Sequence, residues 1–489
     1  ALDRYHWLIK AQPAVAGDFD FGGEGPPLLA DRLIKLYRNL LPGNPAGSIF
    51  GLLYDEPSPE RAREQGGTLS MLNHLGVGRF LLTHLHDLLR GEGQAGPHVL
   101  MLSGTSWAGG SGRRAVPGCQ RPIDSASPTF DVQVPVAGVL IQPPSELAAI
   151  RDSRFALVPI RQPDGSQVVI SGAGLSQRRG RLIYIAERFA IPQDGLNLLE
   201  QQWQRLATVW SEASLQDRRR ALLVVNSYAD AAVVADTLHQ ALPSPAWRVY
   251  CLEQDQRDGA ARTTAGQHGA SRLPRSLIEA FGRTPEHSVL VAPLQIVARG
   301  HNILNEQRKA AIAAIYFLHR PHPRPDDFSA TIGRLNRLAL EIYAHGLAPL
   351  PTPEDLGSRA QRMRRQASRL VRRSLECRGG YSSLPTEFKA QFAWDMLTPL
   401  WQTIGRGIRG GCPVFCGFVD AKFAPRSFAW QEGLPWDDGH SSPLVQALQQ
   451  LRLAMDPTTN PREYRVARLL YAPFFDALNS TEGLKHGHD

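Results

Sequence analysis

The sequence is poor in cysteine, with 5 among 489 residues, and the five are scattered along the chain. A disulfide framework needs an even number of cysteines, and a zinc site typically needs closely spaced C-x-x-C pairs. Neither pattern occurs. Three residues separate Cys412 from Cys416; Cys412 directly precedes the apolar run PVFCGFV and Cys416 lies within it, which predicts buried thiols and not metal ligands. The sequence therefore predicts no resident metal and a reducing, cytoplasmic location.

Long apolar runs are also missing. No stretch approaches the roughly 18 consecutive apolar residues of a membrane span, and the start ALDRYHWLIK lacks the continuous apolar core of a signal peptide. The composition, 43% hydrophobic and 20% charged, is typical of a globular protein. We expect a soluble chain without a membrane partner, long enough for about two to four domains.

A third absence concerns nucleotide binding. The 489 residues contain no G-x-x-x-x-G-K-[ST], the loop whose backbone amides and lysine hold a triphosphate. The glycines of GDFDFGGEGPP come without that lysine. Two interpretations stay open: such a loop precedes Ala1, or the chain does not hold a triphosphate by itself.

Positive charge is abundant, with 54 Lys and Arg against 46 Asp and Glu, a formal net charge of +8. This balance favours an anionic partner such as nucleic acid. The densest segment, residues 358–378, holds eight arginines and one acid, Glu376. Helical spacing places five of the arginines on one face, which predicts phosphate binding; a solvated helix face is the alternative. The five are Arg362, Arg365, Arg369, Arg372 and Arg373.

Apolar strands and helical segments alternate from Arg218 onward, and the strands are continuously apolar. This pattern predicts an α/β fold, a parallel sheet with helices on both faces. The predicted organisation is a mainly helical segment over 1–97, the end of a first lobe and a crossover over 98–200, a second lobe over 201–425 with a basic insertion at about 320–400, and a helical extension over 426–489.

The most informative motif is WQTIGRGIRGG, residues 401–411, directly before the strand PVFCGFVD. It carries Gln402, Gly405, Arg406 and Arg409. If the motif is helical, the two arginines lie one turn apart on one face, and their planar guanidinium groups can pair with phosphate oxygens. The alternative is a glycine-rich helix start with surface arginines.

The Q-x-x-G-R-x-x-R pattern of these four residues resembles motif six of the superfamily 2 nucleic-acid helicases of the XPD and DinG type. The segment VLVAPLQIVARGHNIL resembles their motif five, which implies nucleotide contacts for Arg299, Gly300 and Asn302. The family usually has an acid in place of Asn302, and the nearest helicases have Glu-Gly in place of Arg299 and Gly300.

Two further segments follow the family's motif order. ALLVVNSYADAAVVADTL resembles motif four, with Asn226, Ser227 and Tyr228 at a strand end facing nucleic acid; an ordinary N-capped helix is the alternative. LMLSGTSW resembles motif three, with Ser103 and Thr105 coupling nucleotide state to the bound strand.

An apolar run ending in Asp55 and Glu56 resembles the acidic pair that holds Mg²⁺ in nucleotide motors, although a strand running into a charged loop explains it equally well. Asp420 and Lys422 are the only hint of a nuclease site, and we interpret that region as having a folding role instead.

The resemblance implies a RecA-like parallel sheet behind a truncated first lobe, in an ATP-dependent helicase or translocase that uses ATP and Mg²⁺ and binds single-stranded DNA. Three segments, LSGTSWAGGS, YFLHRPHPRPDD and FVDAKFAP, are similar to helicases found beside prokaryotic PIWI-type defence proteins, which implies protein partners in a defence complex. The alternative function is a non-catalytic nucleic-acid-binding subunit of such a complex.

Overall fold

The computed structural model describes residues 49–55, 68–74 and 149–487, the last range with gaps at 193, 243–245, 256–268, 299, 322–357, 359–360, 370–380 and 462–463. The chain divides into two compact units, residues 1–100 with 338–346 and residues 101–337 with 347–489. Six predicted site residues lie outside the described residues: Glu56, Ser103, Thr105, Arg299, Arg372 and Arg373.

The described part of the first unit is a two-stranded antiparallel sheet. Strand β1 (Ile49–Asp55) pairs with β2 (Thr68–His74), so that Asp55 lies opposite Thr68. The predicted strand ending at Asp55 is confirmed. Strand β2 lies within the segment predicted to be mainly helical, and there Leu69, Ser70 and Met71 alternate apolar and polar as a strand requires.

The second unit is built on a seven-stranded sheet in which every described strand pairing is parallel, as the apolar strands predicted. Its strand order is β3-β9-β8-β4-β7-β5-β6. The RecA-like parallel sheet is therefore confirmed. The strands are β3 (Arg154–Leu157), β4 (Ala221–Val225), β5 (Arg248–Glu253), β6 (Ser271–Pro274), β7 (Ser288–Pro293), β8 (Ala314–Phe317) and β9 (Phe415–Phe418).

Helices cover both faces of this sheet. Their sequence signals are local: Asn197 and Glu200 form a reciprocal capping box at the start of the second helix, as the S/T/N-x-x-E spacing favours. The helices are α1 (Leu175–Ala190), α2 (Leu198–Val209), α3 (Glu212–Leu215), α4 (Tyr228–Ala241), α5 (Leu294–Val297), α6 (Thr386–Ile404), α7 (Pro425–Phe428), α8 (Pro443–Met455) and α9 (Tyr464–Asn479), with 3-10 turns at Arg275–Arg283, Tyr381–Ser383 and Ala421–Phe423.

Two apolar cores lie on opposite sides of the sheet. In β4, Leu222 and Val224 point into the core formed with α6, α8 and α9, whereas Ala221, Leu223 and Val225 point into the core formed with α1, α2 and α4. Alternate residues of a strand face opposite sides, so a strand covered on both faces must be apolar at every position. This requirement explains why β4 reads as an uninterrupted apolar run.

The sheet of the second unit and its helices continue past the domain boundaries predicted at residues 200 and 425. Strand β3 pairs with β9, with Arg154 opposite Phe415, and Ala156 forms a bridge with Glu482. Helices α8 and α9 contribute to the same core. The boundaries predicted at 200 and 425 therefore fall inside one sheet and its helices, because these pairings join residues too distant in sequence for a local pattern to show.

The order of the strands places a topological switch point at the centre of the sheet. The chain leaves β4 towards β7, β5 and β6 on one side and returns to β8 and β9 on the other. Ligands in such sheets bind outside the carboxyl ends of the strands, where the direction reverses. The carboxyl ends of β4 and β8 meet at this point.

Candidate functional site

The predicted arginine motif lies in a loop that joins α6 to β9, which we call the arginine loop (residues 405–413). Helix α6 ends at Ile404, so the expectation that Arg406 and Arg409 share a helical face is wrong. Gly410 and Gly411 both have φ of +73°, a left-handed conformation that does not continue a right-handed helix. The two arginines are therefore presented by turns.

The glycines of this loop differ in whether the surrounding atoms leave room for a side chain. A Cβ atom at Gly407 would lie 2.3 Å from Cγ2 of Val414, so only glycine allows the loop to pack against the chain entering β9. At Gly405, a Cβ atom would meet only backbone oxygens at 3.4 Å, an ordinary contact. The fold thus requires Gly407 but not Gly405, the glycine of the predicted motif. Gln402 lies half-buried in the last turn of α6.

The side chain of Arg406 points inward and joins two of the predicted motifs. It is 8% exposed, and its Nε and Nη2 donate to the carbonyl oxygens of Val297 and Ala298 at 3.3 and 3.2 Å. These carbonyls lie at the end of α5, where a helix leaves its last carbonyl groups without intrahelical partners. Burial lowers the pKa of Arg406 to about 10, and the charge of Arg409 acts in the same direction. Arg406 therefore remains protonated at neutral pH.

Arg409 is more accessible and contacts the same neighbouring segment. It is half-buried, and its Nη1 donates to Oδ1 of the exposed Asn302. The backbone N–H of Asn302 donates to Oε1 of Glu279 at 2.7 Å, and the N–H of Ala310 donates to the carbonyl of Arg409 at 2.9 Å. The structure thus brings together Asn302, Arg406 and Arg409, which the motifs placed about 100 residues apart.

The residues beside Asn302 form an accessible loop. Gly300 is exposed, and a Cβ atom there would meet no atom within 4 Å, so the fold does not require glycine at this position. Burial lowers the pKa of His301 below its ordinary value; the charges of Arg275 and Arg406 act in the same direction, and that of Glu279 opposes them. His301 is therefore neutral at pH 7, and Arg275 and Arg406 are the arginines whose charges act on it.

The chemistry available at this surface is that of a cationic fork. A guanidinium has five N–H donors, and Nη1 of Arg409 already donates to Asn302, which orients the group. Planar guanidinium groups bind phosphate oxygens bidentately and are restricted further when a neighbour orients them. Arg409 is thus suited to an anionic phosphoryl group, whereas Arg406 is already bound to carbonyl oxygens.

The run of three arginines before β4 has structural partners that sequence reasoning did not anticipate. Arg219 pairs with Glu212 at 2.6 Å and lies 3.5 Å from Glu286. Arg220 is buried and donates to the carbonyl of Thr284. Arg218 is buried and points beneath the arginine loop. A charged run directly before a fully apolar strand is the only sequence signal that could have suggested buried arginines.

At the carboxyl edge of the sheet, the predicted motif-four residues follow β4. Oγ of Ser227 accepts a hydrogen bond from the N–H of Asp230 at 3.1 Å, which makes Ser227 the N-cap of α4. The N-capped helix is therefore present. Asn226 and Tyr228 are half-buried at the same edge, and the contact of all three residues with nucleic acid stays a prediction.

Asp420 follows β9 and is fully buried. One carboxylate oxygen accepts from the N–H groups of Ile170 and Lys422 at 3.2 and 3.1 Å; the other accepts from the N–H groups of Ser171 and Arg320 at 2.9 and 3.3 Å and from the Ser171 hydroxyl. The carboxylate therefore fastens three chain segments.

His319, directly after β8, was missed by sequence reasoning. It is 3% exposed, and its Nε2 lies 4.0 Å from Oδ2 of Asp230, whose Oδ1 is 3.5 Å from Arg178. Within the described part of the chain, neither ring nitrogen makes a hydrogen bond. Burial lowers the pKa of His319, and the charges of Asp230 and Asp420 oppose this shift. The imidazole is therefore neutral at pH 7.

The basic helix is confirmed in its described part, because residues 361–369 are helical. Arg365 and Arg369 are exposed, as a phosphate-binding face requires, whereas Arg362 is half-buried. Arg364 is exposed as well, but lies about 100° around the helix from Arg365. The described helix thus offers two of the five predicted arginines to an external partner.

Other predictions concern metals and thiols. Cys412 and Cys416 are buried as expected, and burial raises the pKa of Cys416 well above its ordinary value. The described residues contain no group of three His, Cys, Asp or Glu side chains placed to hold a metal ion. Asp55 ends β1, and its role in Mg²⁺ binding together with Glu56 stays a prediction.

The chain matches no model of a known protein family and no curated protein sequence. The helicase resemblance therefore depends on the motifs and on the contacts between them. Among the described helices, none is both long and apolar enough to cross a membrane.

Proposed function

We propose that this chain carries the arginine-bearing lobe of an ATP-dependent nucleic-acid helicase or translocase that acts on single-stranded DNA. The observation that supports it is the contact of the arginine loop with residues 297–302: Arg409 bonds to Asn302, and Arg406 bonds to the end of α5. Two segments that resemble motifs five and six of one helicase family thereby lie together on a RecA-like sheet.

The two arginines have different roles in this proposal. Arg409 is the catalytic candidate, because it is accessible and oriented by Asn302. Arg406 is a positioning residue, because its guanidinium is buried against carbonyl oxygens. ATP, with Mg²⁺, supplies the phosphoryl group whose transfer drives movement along the strand. A preorganised guanidinium stabilises the charge that develops on that group.

Nucleic acid would contact two places in the second unit. Asn226 and Tyr228 lie at the carboxyl end of β4, beside the switch point, and Arg365 and Arg369 present exposed guanidinium groups on the basic helix. Dispersed contacts of this kind hold a backbone through charge and hydrogen bonds without reading sequence. Removing one side chain should therefore weaken strand binding only slightly.

The second candidate function is a non-catalytic nucleic-acid-binding subunit, with protein partners in a prokaryotic defence complex. It is favoured by the burial of Arg406, which makes one of the two expected phosphate ligands inaccessible, and by the absence of G-x-x-x-x-G-K-[ST] from the 489 residues. In this case the arginine loop would have only a structural role.

The experiment that tests the first candidate is Arg409→Ala in the full-length protein, with ATP turnover measured in the presence of single-stranded DNA. We expect kcat to fall by about 10³-fold, the lower end of what arginine fingers contribute, with DNA affinity unchanged within twofold. Arg409→Lys should be equally slow, because a single ammonium does not reproduce the planar fork. Arg283→Ala, which removes an exposed arginine from the 3-10 turn Arg275–Arg283, is the matched control.

Two outcomes would decide against the proposal. Turnover at the wild-type rate in Arg409→Ala would remove its catalytic role. A wild-type protein that binds single-stranded DNA tightly but hydrolyses no ATP would favour the second candidate.

A further inference from the structure

The guanidinium of Arg218 is the most extensively bonded side chain beneath the arginine loop. Arg218 lies three residues before the start of β4 and is 1% exposed. Its guanidinium donates to five backbone carbonyl oxygens and to no carboxylate among the described residues, whereas its backbone N–H donates to Oε1 of Glu286 at 3.1 Å. The five carbonyl oxygens are those of Ala310 at 2.6 Å, Ser214 at 2.6 Å, Ile312 at 3.2 Å, Gly407 at 2.9 Å and Pro413 at 3.0 Å.

The five carbonyls belong to three separate parts of the chain. Ser214 lies in α3, and Ala310 and Ile312 lie just before β8. Gly407 and Pro413 lie near the two ends of the arginine loop, and the same nitrogen, Nη2 of Arg218, bonds to both. One buried side chain therefore fastens the loop that carries Arg406 and Arg409 to the amino end of the sheet.

A buried cation without a counter-ion is costly unless polar groups replace its water. Burial lowers the pKa of Arg218 to about 10, so the group stays protonated at neutral pH and depends on the five carbonyls for solvation. A planar fork spans several carbonyls in fixed directions, which neither an apolar side chain nor a lysine reproduces. The arrangement therefore restrains the loop specifically, in addition to filling space.

We propose that Arg218 is a positioning residue for the arginine loop, whose hydrogen bonds to Gly407 and Pro413 keep Arg409 against Asn302. The catalytic consequence rests on the proposed function. A displacement of about 1 Å in a catalytic group lowers a rate by about 10²-fold. Loss of Arg218 should therefore reduce turnover although Arg218 itself touches no substrate.

The test compares Arg218→Met and Arg218→Lys with Arg220→Met in the full-length protein. Arg220 is a matched control, because it is also buried, at 2% exposed, and bonds to Thr284 and Asp217 instead of the loop. The first readout is amide hydrogen exchange within the loop, at Gly407, which bonds to Ile404, and at Gly411 and Cys412, which both bond to Ile408. The second readout is kcat and KM for ATP with single-stranded DNA.

In both Arg218 variants we expect loop amides to exchange at least about tenfold faster relative to the β4 amides, because the loop opens without global unfolding. We also expect kcat to fall by about 10²-fold while KM for ATP changes less than about threefold, since ground-state binding is retained. Arg220→Met should change neither the exchange of the loop amides relative to the β4 amides nor the kcat and KM for ATP.

The outcomes separate this inference from the proposed function. Faster loop exchange in a protein whose wild type hydrolyses no ATP would overturn the function and leave the positioning role intact. Unchanged loop exchange in Arg218→Met would overturn the positioning role. If Arg218→Met does not fold, the same exchange measurement on Arg218→Lys replaces it, and unchanged loop exchange there would overturn the positioning role. In the wild type, loop amides that exchange much faster than the β4 amides would contradict a fastened loop.

Discussion

The amino and carboxyl edges of the seven-stranded sheet each contain a buried ion that is compensated by the backbone. At the amino edge, Arg218 donates to five carbonyl oxygens; at the carboxyl edge, Asp420 accepts from four backbone N–H groups and one hydroxyl. Each ion fastens three chain segments. The comparison shows that backbone groups can supply most of the hydrogen bonds to a buried charge of either sign where strands enter and leave a sheet.

The two edges differ in what lies next to the anchor. The loop beside Arg218 presents the half-exposed Arg409. The polar groups near Asp420 lie in the interior instead, among them the neutral and buried His319. The amino edge therefore presents a cation to solvent, whereas the group that titrates near the carboxyl anchor lies in the interior. The following predictions separate anchoring, titration and surface charge.

The largest expected effect is on the carboxyl anchor. Asp420→Ala leaves four backbone N–H groups without their acceptor and should lower the free energy of unfolding by about 4 kcal/mol, since each hydrogen bond to a buried charge contributes about 1.5–3 kcal/mol and the effects are not additive. Urea denaturation measures it. Glu482→Ala, which removes the exposed carboxylate that pairs with Arg205, is the control and should cost under about 1 kcal/mol. Equal losses in the two variants would show that Asp420 is not an anchor.

A smaller effect should come from the titration of His319. Its folded pKa lies below the ordinary value of 6.5, so the unfolded chain binds an additional proton once the pH falls below 6.5. Stability contributed by neutral His319 is thus present above that pH and lost below it, at up to about 1.4 kcal/mol for each pH unit. Asp230, Asp420 and Arg178 are the charged groups that face the ring.

His319→Gln removes this titration, so the slope of stability against pH between 7 and 5 should be shallower than in the wild type. Urea denaturation at several pH values provides the comparison. Identical slopes in the two proteins would place the proton uptake elsewhere in the chain.

The smallest effect on stability is expected on the basic helix, where the charges are exposed and no anchor holds them. Arg365→Ala with Arg369→Ala should change the free energy of unfolding by less than about 0.5 kcal/mol. The same double variant should reduce the slope of log affinity for single-stranded DNA against log salt by about 1.4, which corresponds to two released counterions. Arg364→Ala should leave the slope nearly unchanged if the predicted face binds phosphate. A double variant with the wild-type slope would indicate a solvated helix face.

Local signals predicted the fold well where each element is specified by its own residues. The apolar runs ALLVV, VLVAP and PVFCGFV correspond to strands β4, β7 and β9, and residues 361–369 are helical as their spacing indicated. The hairpin strand at Thr68–His74 was missed, because a short alternating segment beside a helical pattern is ambiguous.

The candidate site was predicted in its residues but not in its geometry. The motifs named Asn302, Arg406 and Arg409 separately, and a helical spacing gave the two arginines the same orientation. The structure buries Arg406 and leaves Arg409 accessible, because Gly407, Gly410 and Gly411 fold the segment into turns. No pattern within eleven residues could distinguish the two arginines.

The sequence by itself determined the apolar strands at the centre of the sheet, the capping of a helix by Ser227 and the helix that concentrates positive charge, because periodicity and capping depend on residues within a few positions of each other. Only the tertiary structure decided that β3 belongs to the same sheet as β9 and that Arg218 and Asp420 are anchors. Those assignments depend on hydrogen bonds between residues that lie about 90 to 260 positions apart, which form only when the strands have assembled.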